Sequence, residues 1–103
     1  MSNSTRDTLE LFRQQGFNLS QTMKIDFFIV LPDLESGKMI VDRILNEGFK
    51  ASLELDSEDG SCTCYCSMDL IPEYSTIVAI ENKLNSIAKG VGGFIDGFGT
   101  YGN

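Results

Sequence analysis

Phe49-Lys50-Ala51-Ser52-Leu53-Glu54-Leu55-Asp56-Ser57-Glu58-Asp59-Gly60-Ser61-Cys62-Thr63-Cys64-Tyr65-Cys66-Ser67-Met68 is the stretch on which the fold turns. Phe49, Ala51, Leu53 and Leu55 alternate with Lys50, Ser52 and Glu54, the period-two pattern of a strand with one buried face. Asp56 to Ser61 interrupts it with Asp59-Gly60 at the centre, a dipeptide that suits the tight turn of a hairpin. Cys62 to Met68 resumes the alternation, so two antiparallel strands joined by an acidic tip are expected.

On the N-terminal side of the hairpin, Met23 to Leu31 is rich in aromatic and β-branched residues and is closed by Pro32-Asp33, which reads as a strand. Alternation there places Ile25, Phe27, Ile29 and Leu31 on one face and Lys24, Asp26, Phe28 and Val30 on the other. Asp33 suits the cap of a helix running to about Asn46, with Ile40, Val41, Ile44 and Leu45 at helical spacing and Gly48 just past its end. Further upstream, Ser4 with Asp7 reads as a cap and acidic first turn, and Leu9, Phe12 and Gly16 mark a short leading helix that stops at the glycine.

On the C-terminal side, Pro72 stands where a first helical residue would. Ile77, Ile80, Leu84, Ile87 and Val91 then keep the helical period, and Gly90, Gly92 and Gly93 end it. A last strand from Phe94 to about Tyr101 is broken by Gly97, Gly99 and Gly102.

After the leading helix the order is β-α-β-β-α-β, the split pattern of a ferredoxin-like sandwich. Right-handed crossovers then give a four-stranded antiparallel sheet, with the third and last strands flanking the first and two helices on one face. The expected class is α+β, with residues 1–103 as one domain: a leading helix over 1–17 and a ferredoxin-like core over 23–101. A chain of 103 residues has room for one hydrophobic core and not two.

Fifteen acidic residues against eight basic ones give a net charge of −7. Such a field repels polyphosphates and attracts cationic surfaces, so nucleic acid is not expected as a direct ligand. The N-terminus leads into a charged amphipathic segment and not an apolar one, and the run Phe27 to Leu31 is far too short to span a bilayer. Three closely spaced thiols do not suit a disulfide framework. A cytoplasmic protein is expected.

The chain has no histidine, and so lacks the commonest general base and metal ligand. Along the strand, successive members of Cys62, Cys64 and Cys66 are expected about 7 Å apart on one face. With no histidine and no second thiol cluster to complete a site, core packing is preferred to metal or small-molecule chemistry, and no cofactor is expected. Asp56, Glu58, Asp59 and Gly60 look like part of a calcium loop, but the twelfth position, where a carboxylate is needed, is Ser67. Asp26 and Asp96 are expected on neighbouring strands of the open face, without the nucleophile or phosphate-cradling loop that would make such a pair catalytic.

That face also collects Phe28, Tyr65, Phe94 and Phe98 if the last strand alternates. Aromatics on a sheet face are how one RNA-binding module stacks bases, but here they come with aspartates in an acidic chain. Two readings remain: an exposed protein-binding patch, or a second core covered by Leu9, Phe12 and Phe17 of the leading segment.

The ending Gly93-Phe94-Ile95-Asp96-Gly97-Phe98-Gly99-Thr100-Tyr101, after a helix opened near Pro72-Glu73-Tyr74, resembles the regulator of ribonuclease activity B family. That family carries an aromatic, Asp-Gly, an aromatic that is usually Trp, then Gly-Thr; here Phe98 stands at the Trp position. The Glu58-Asp59-Gly60 turn and the strand after it are also similar, and the likeness extends from about Lys24 to Tyr101. The resemblance implies a ferredoxin-like fold and a non-enzymatic role: members bind ribonuclease E at its scaffold region, outside the catalytic domain, and inhibit RNA cleavage or alter the degradosome. On this reading Glu54, Asp56, Glu58 and Asp59 steer a protein partner by charge, and Asp96, Phe98 and Tyr101 are candidate contacts.

Overall fold

The structure is a computed structural model that describes residues 4–100. Its elements are α1 (Ser4–Gln14), β1 (Met23–Leu31), α2 (Leu34–Asn46), β2 (Lys50–Leu55), β3 (Cys62–Leu70), α3 (Tyr74–Lys89) and β4 (Phe94–Gly99). The strands form one antiparallel sheet in the order β2-β3-β1-β4. This is the ferredoxin-like arrangement that the alternating segments predict.

The central pair β1 and β3 runs in unbroken register from Met23 opposite Leu70 to Leu31 opposite Cys62. Unbroken pairing keeps alternate side chains on fixed faces, and the apolar set all turns one way. Ile25, Phe27, Ile29, Leu31, Cys62, Cys64 and Cys66 are fully buried, together with Ile40 and Ile44 of α2 and Ile77 and Leu84 of α3. Full burial of an Ile, Leu or Phe side chain contributes about 1.5–3 kcal/mol, so this layer supplies the main favourable free energy of the fold. Leu55 lies on the same alternation but is exposed, because it stands at the hairpin end of the edge strand.

Local signals set the helix ends. The backbone at Asp33 is extended and its carboxylate accepts from the Ser36 amide at 2.8 Å, which caps α2. At α3 the cap position is Glu73, and Pro72 is a buried residue before it and not the first helical one. At the other end of the chain α1 is already helical at Ser4, so its cap lies outside the described residues.

The leading helix does not lie on the open face of the sheet. It packs against α3 and the β4 edge, extending the helical layer. The Thr5 hydroxyl donates to Glu81 of α3 at 2.6 Å, and the Arg6 guanidinium lies 4.8 Å from the centre of the Tyr74 ring. Phe12 meets Phe98 edge-on, with centroids 5.7 Å apart. The covered second core is therefore replaced by an open face whose side chains are not buried under α1.

Phe98 itself is a correction to strict alternation. β4 pairs Ile95 with Ile29 and Phe94 with Val30, but then Gly97 with Phe28 and Phe98 with Phe27. Asp96 is the extra residue of a β-bulge, which shifts the strand by one position and turns Phe98 into the core. Phe98 is 8% exposed and also contacts Phe27, at 5.9 Å.

Two glycines make this end of the sheet possible for different reasons. Gly97 has φ +139°, while nothing stands within 4 Å of the place its Cβ would take. Gly97→Ala is therefore expected to cost about 1–3 kcal/mol through backbone strain alone, read as a lower urea midpoint; a neutral result would contradict the bulge. At Gly93 the obstacle is steric, because a Cβ would sit 2.6 Å from the Val30 carbonyl oxygen.

Candidate functional site

The face opposite the helices is built from the alternate residues of four strands, and cross-strand pairing arranges them in rows. One row holds Glu54, Thr63, Val30 and Phe94; the next holds Ser52, Tyr65, Phe28 and Gly97; the third holds Lys50, Ser67, Asp26 and Gly99. The apolar and aromatic members cluster at the hairpin end. Phe28 and Tyr65 are half-buried and meet edge to face at 5.6 Å, and Phe94 is 51% exposed.

Charge is unevenly distributed over this face. Glu54 is exposed at the hairpin end, and the Tyr65 hydroxyl reaches its carboxylate at 3.4 Å. The hairpin tip continues the acidic edge with Asp56, Glu58 and Asp59, all exposed. Two of these carboxylates also hold the turn. Asp56 accepts from the Glu58 amide at 2.9 Å and Asp59 from the Ser61 amide at 2.8 Å. Hydrogen bonds from Ser61 hold the Asp59 carboxyl below its ordinary range, which favours its charged form. Lys24 and Lys50 sit at the far end of the face, where they line a separate concavity with Asp69.

Asp26 and Asp96 do not form a pair. Asp26 is 4% exposed and its carboxylate accepts from the Ser67 hydroxyl, across from Gly99. Asp96 lies in the bulge nearer the hairpin end, exposed beside Phe28.

The thiols point the other way. All three are buried and free, with the Cys64 and Cys66 sulfurs 3.9 Å apart. The hydrogen bond to Cys64, with burial, pushes the Cys66 thiol far up, and burial raises Cys62 as well. Among the described residues no group of three or more Cys, Asp or Glu side chains could hold a metal ion. No helix among them is long and apolar enough to cross a membrane.

The structure thus brings Glu54, Asp56, Glu58 and Asp59 together at one end, and sets Asp96 on the opposite edge strand, about 14 Å away at ordinary strand spacing. Phe98 is in the core, and Tyr101 lies outside the described residues. Sequence alternation does not reveal Thr8 and Glu81, which come to the β4 edge only because α1 docks on α3. No local pattern signals that contact.

Comparison with curated proteins finds no match. A family model described as regulator of ribonuclease activity B matches residues 2–100, nearly the whole chain. The likeness carried by the glycine-rich ending therefore extends through the hairpin, the sheet and the leading helix, and the chain belongs to the regulator of ribonuclease activity B family.

Proposed function

We propose that this protein is a non-catalytic, cytoplasmic regulator that binds ribonuclease E at its scaffold region and modulates RNA degradation. Membership of a family of ribonuclease regulators supports a protein partner that is a ribonuclease. The observation that carries the interface is the open sheet face, where exposed Phe94 and half-buried Val30, Phe28 and Tyr65 adjoin the carboxylates of Glu54, Asp56, Glu58, Asp59 and Asp96. Apolar residues supply contact area, while the acidic edge speeds encounter with a cationic partner and excludes anionic ones. Phe98 acts by holding β4 in place and not by touching the partner.

The test is cleavage of a labelled RNA by purified ribonuclease E with and without the full chain. Slower cleavage is expected, and the association rate should fall several-fold when Glu58 and Asp59 are both replaced by lysine, with the effect shrinking at high salt. Unchanged cleavage together with no measurable binding would overturn the proposal. Tight, salt-sensitive binding of the RNA by the chain alone would overturn it in favour of an RNA-binding module.

A further inference from the structure

The β4 bulge leaves two shallow concavities that share a wall. One, of about 250 Å³, lies on the open face between Phe28, Val30, Thr63, Tyr65 and Asp96. The other, of about 310 Å³, passes over the β4 edge between Thr8, Phe28, Glu81, Asp96, Gly97 and Phe98. Phe28 and Asp96 belong to both, so an aromatic ring and an exposed carboxylate form the saddle between them. Neither concavity is lined by lysine or arginine, whereas Lys24 and Lys50 line the one at the far end of the sheet.

We infer that this saddle recognises an arginine side chain from an extended basic segment of a protein partner, with the guanidinium on the Phe28 ring and facing Asp96. The inference rests on the protein-binding reading above and names which part of the partner is read. A guanidinium is planar and weakly hydrated, stacks on aromatic faces and bridges carboxylates with paired donors; an ammonium group does these things less well. Glu81 supplies a second carboxylate in the adjoining concavity, steadied by the Thr5 hydroxyl. Both hollows lie at or below the lower end of the ~300–1,000 Å³ range of small-molecule pockets, so they fit side chains of a larger partner better than a free ligand. The strip of Val30, Tyr65 and Phe94 beside the saddle takes the apolar neighbours of that arginine. A net charge of −7 opposes a second copy of this chain in the same place.

The test is a two-dimensional amide NMR titration of the nitrogen-15-labelled full chain with a short capped peptide of alternating arginine and leucine. Signals of Thr8, Phe28, Asp96 and Gly97 should move. Binding should weaken about tenfold in Asp96→Asn, which removes one exposed charge and leaves the fold intact, and also in Glu81→Gln, which keeps an acceptor for Thr5. The lysine-leucine counterpart should bind several-fold more weakly than the arginine peptide.

Shifts centred on Lys24 and Lys50, or equal affinity for both peptides that is indifferent to Asp96→Asn, would overturn the site. So would movement of the same signals on concentrating the chain alone, which would make the face a contact between copies, or on adding oligouridine. The two proposals fail separately. If Asp96→Asn still restrains ribonuclease E as the native chain does, regulation stands and this site is wrong. If the arginine preference holds but the ribonuclease is untouched, the site stands and the regulatory reading is wrong.

Discussion

Phe98→Ala is expected to cost about 3–5 kcal/mol of folding stability, the usual penalty for emptying a buried phenylalanine site. The ring is 8% exposed and lies between Phe27 on the sheet and Phe12 on the leading helix, 5.9 and 5.7 Å away. Its loss leaves a void where the leading helix meets the sheet, and it removes two aromatic contacts, each worth about 0.5–1.5 kcal/mol beyond area burial. A domain of this size has about 5–15 kcal/mol in total, so about a fifth or more of its stability is at stake. Urea denaturation followed by circular dichroism reads the effect. Phe94→Ala on the exposed side of the same strand should change stability by less than about 1 kcal/mol. If Phe98→Ala matched Phe94→Ala, the bulge would be wrong and the simple alternation right. The substitution is also a poor probe of binding, because a destabilised chain loses partners for reasons unrelated to contact.

That contrast shows what the sequence could and could not convey. β1, β3 and the helical pair were legible because their side-chain periods are long, unbroken and consistent with the connections between them. The three thiols were legible for the same reason, since the alternation that buries Phe27, Ile29 and Leu31 opposite them leaves the sulfurs no other face. β4 was not, because one inserted residue reverses the facing of everything after it, and Gly97 announces a possible bulge without fixing its phase. The position of α1 was not legible either. An amphipathic helix states that it will bury one side, and not which surface will receive it; that depended on Thr5 meeting Glu81, 76 positions away. The acidic tip and Glu54 could be read directly from the hairpin, whereas the saddle at Phe28 and Asp96 needed the bulge to be known first.

In native buffer at pH 8, a disulfide reagent such as dithionitrobenzoate is expected to modify all three cysteines at least about 10³-fold more slowly than in denaturant, because reaction must wait for the chain to open at a cost of ~5 kcal/mol or more. Cys62, Cys64 and Cys66 are each fully buried between the sheet and the helices. The thiolate is the nucleophile, and the Cys66 proton is retained because of its hydrogen bond to Cys64 and its burial. The same retention gives stability a defined pH dependence. Below the ordinary thiol range both the folded and unfolded chains keep the proton, and stability does not vary from this source. Above it the unfolded chain ionises first, so stability falls as pH rises from about 8.5 toward 10, and replacing Cys66 with alanine should flatten that decline. Rapid labelling of any thiol in the native chain would place a sulfur outside the core. A native mass carrying a zinc ion that acid releases would turn the cysteine strand from packing into a metal site, and with it the choice of which sheet face does the protein's work.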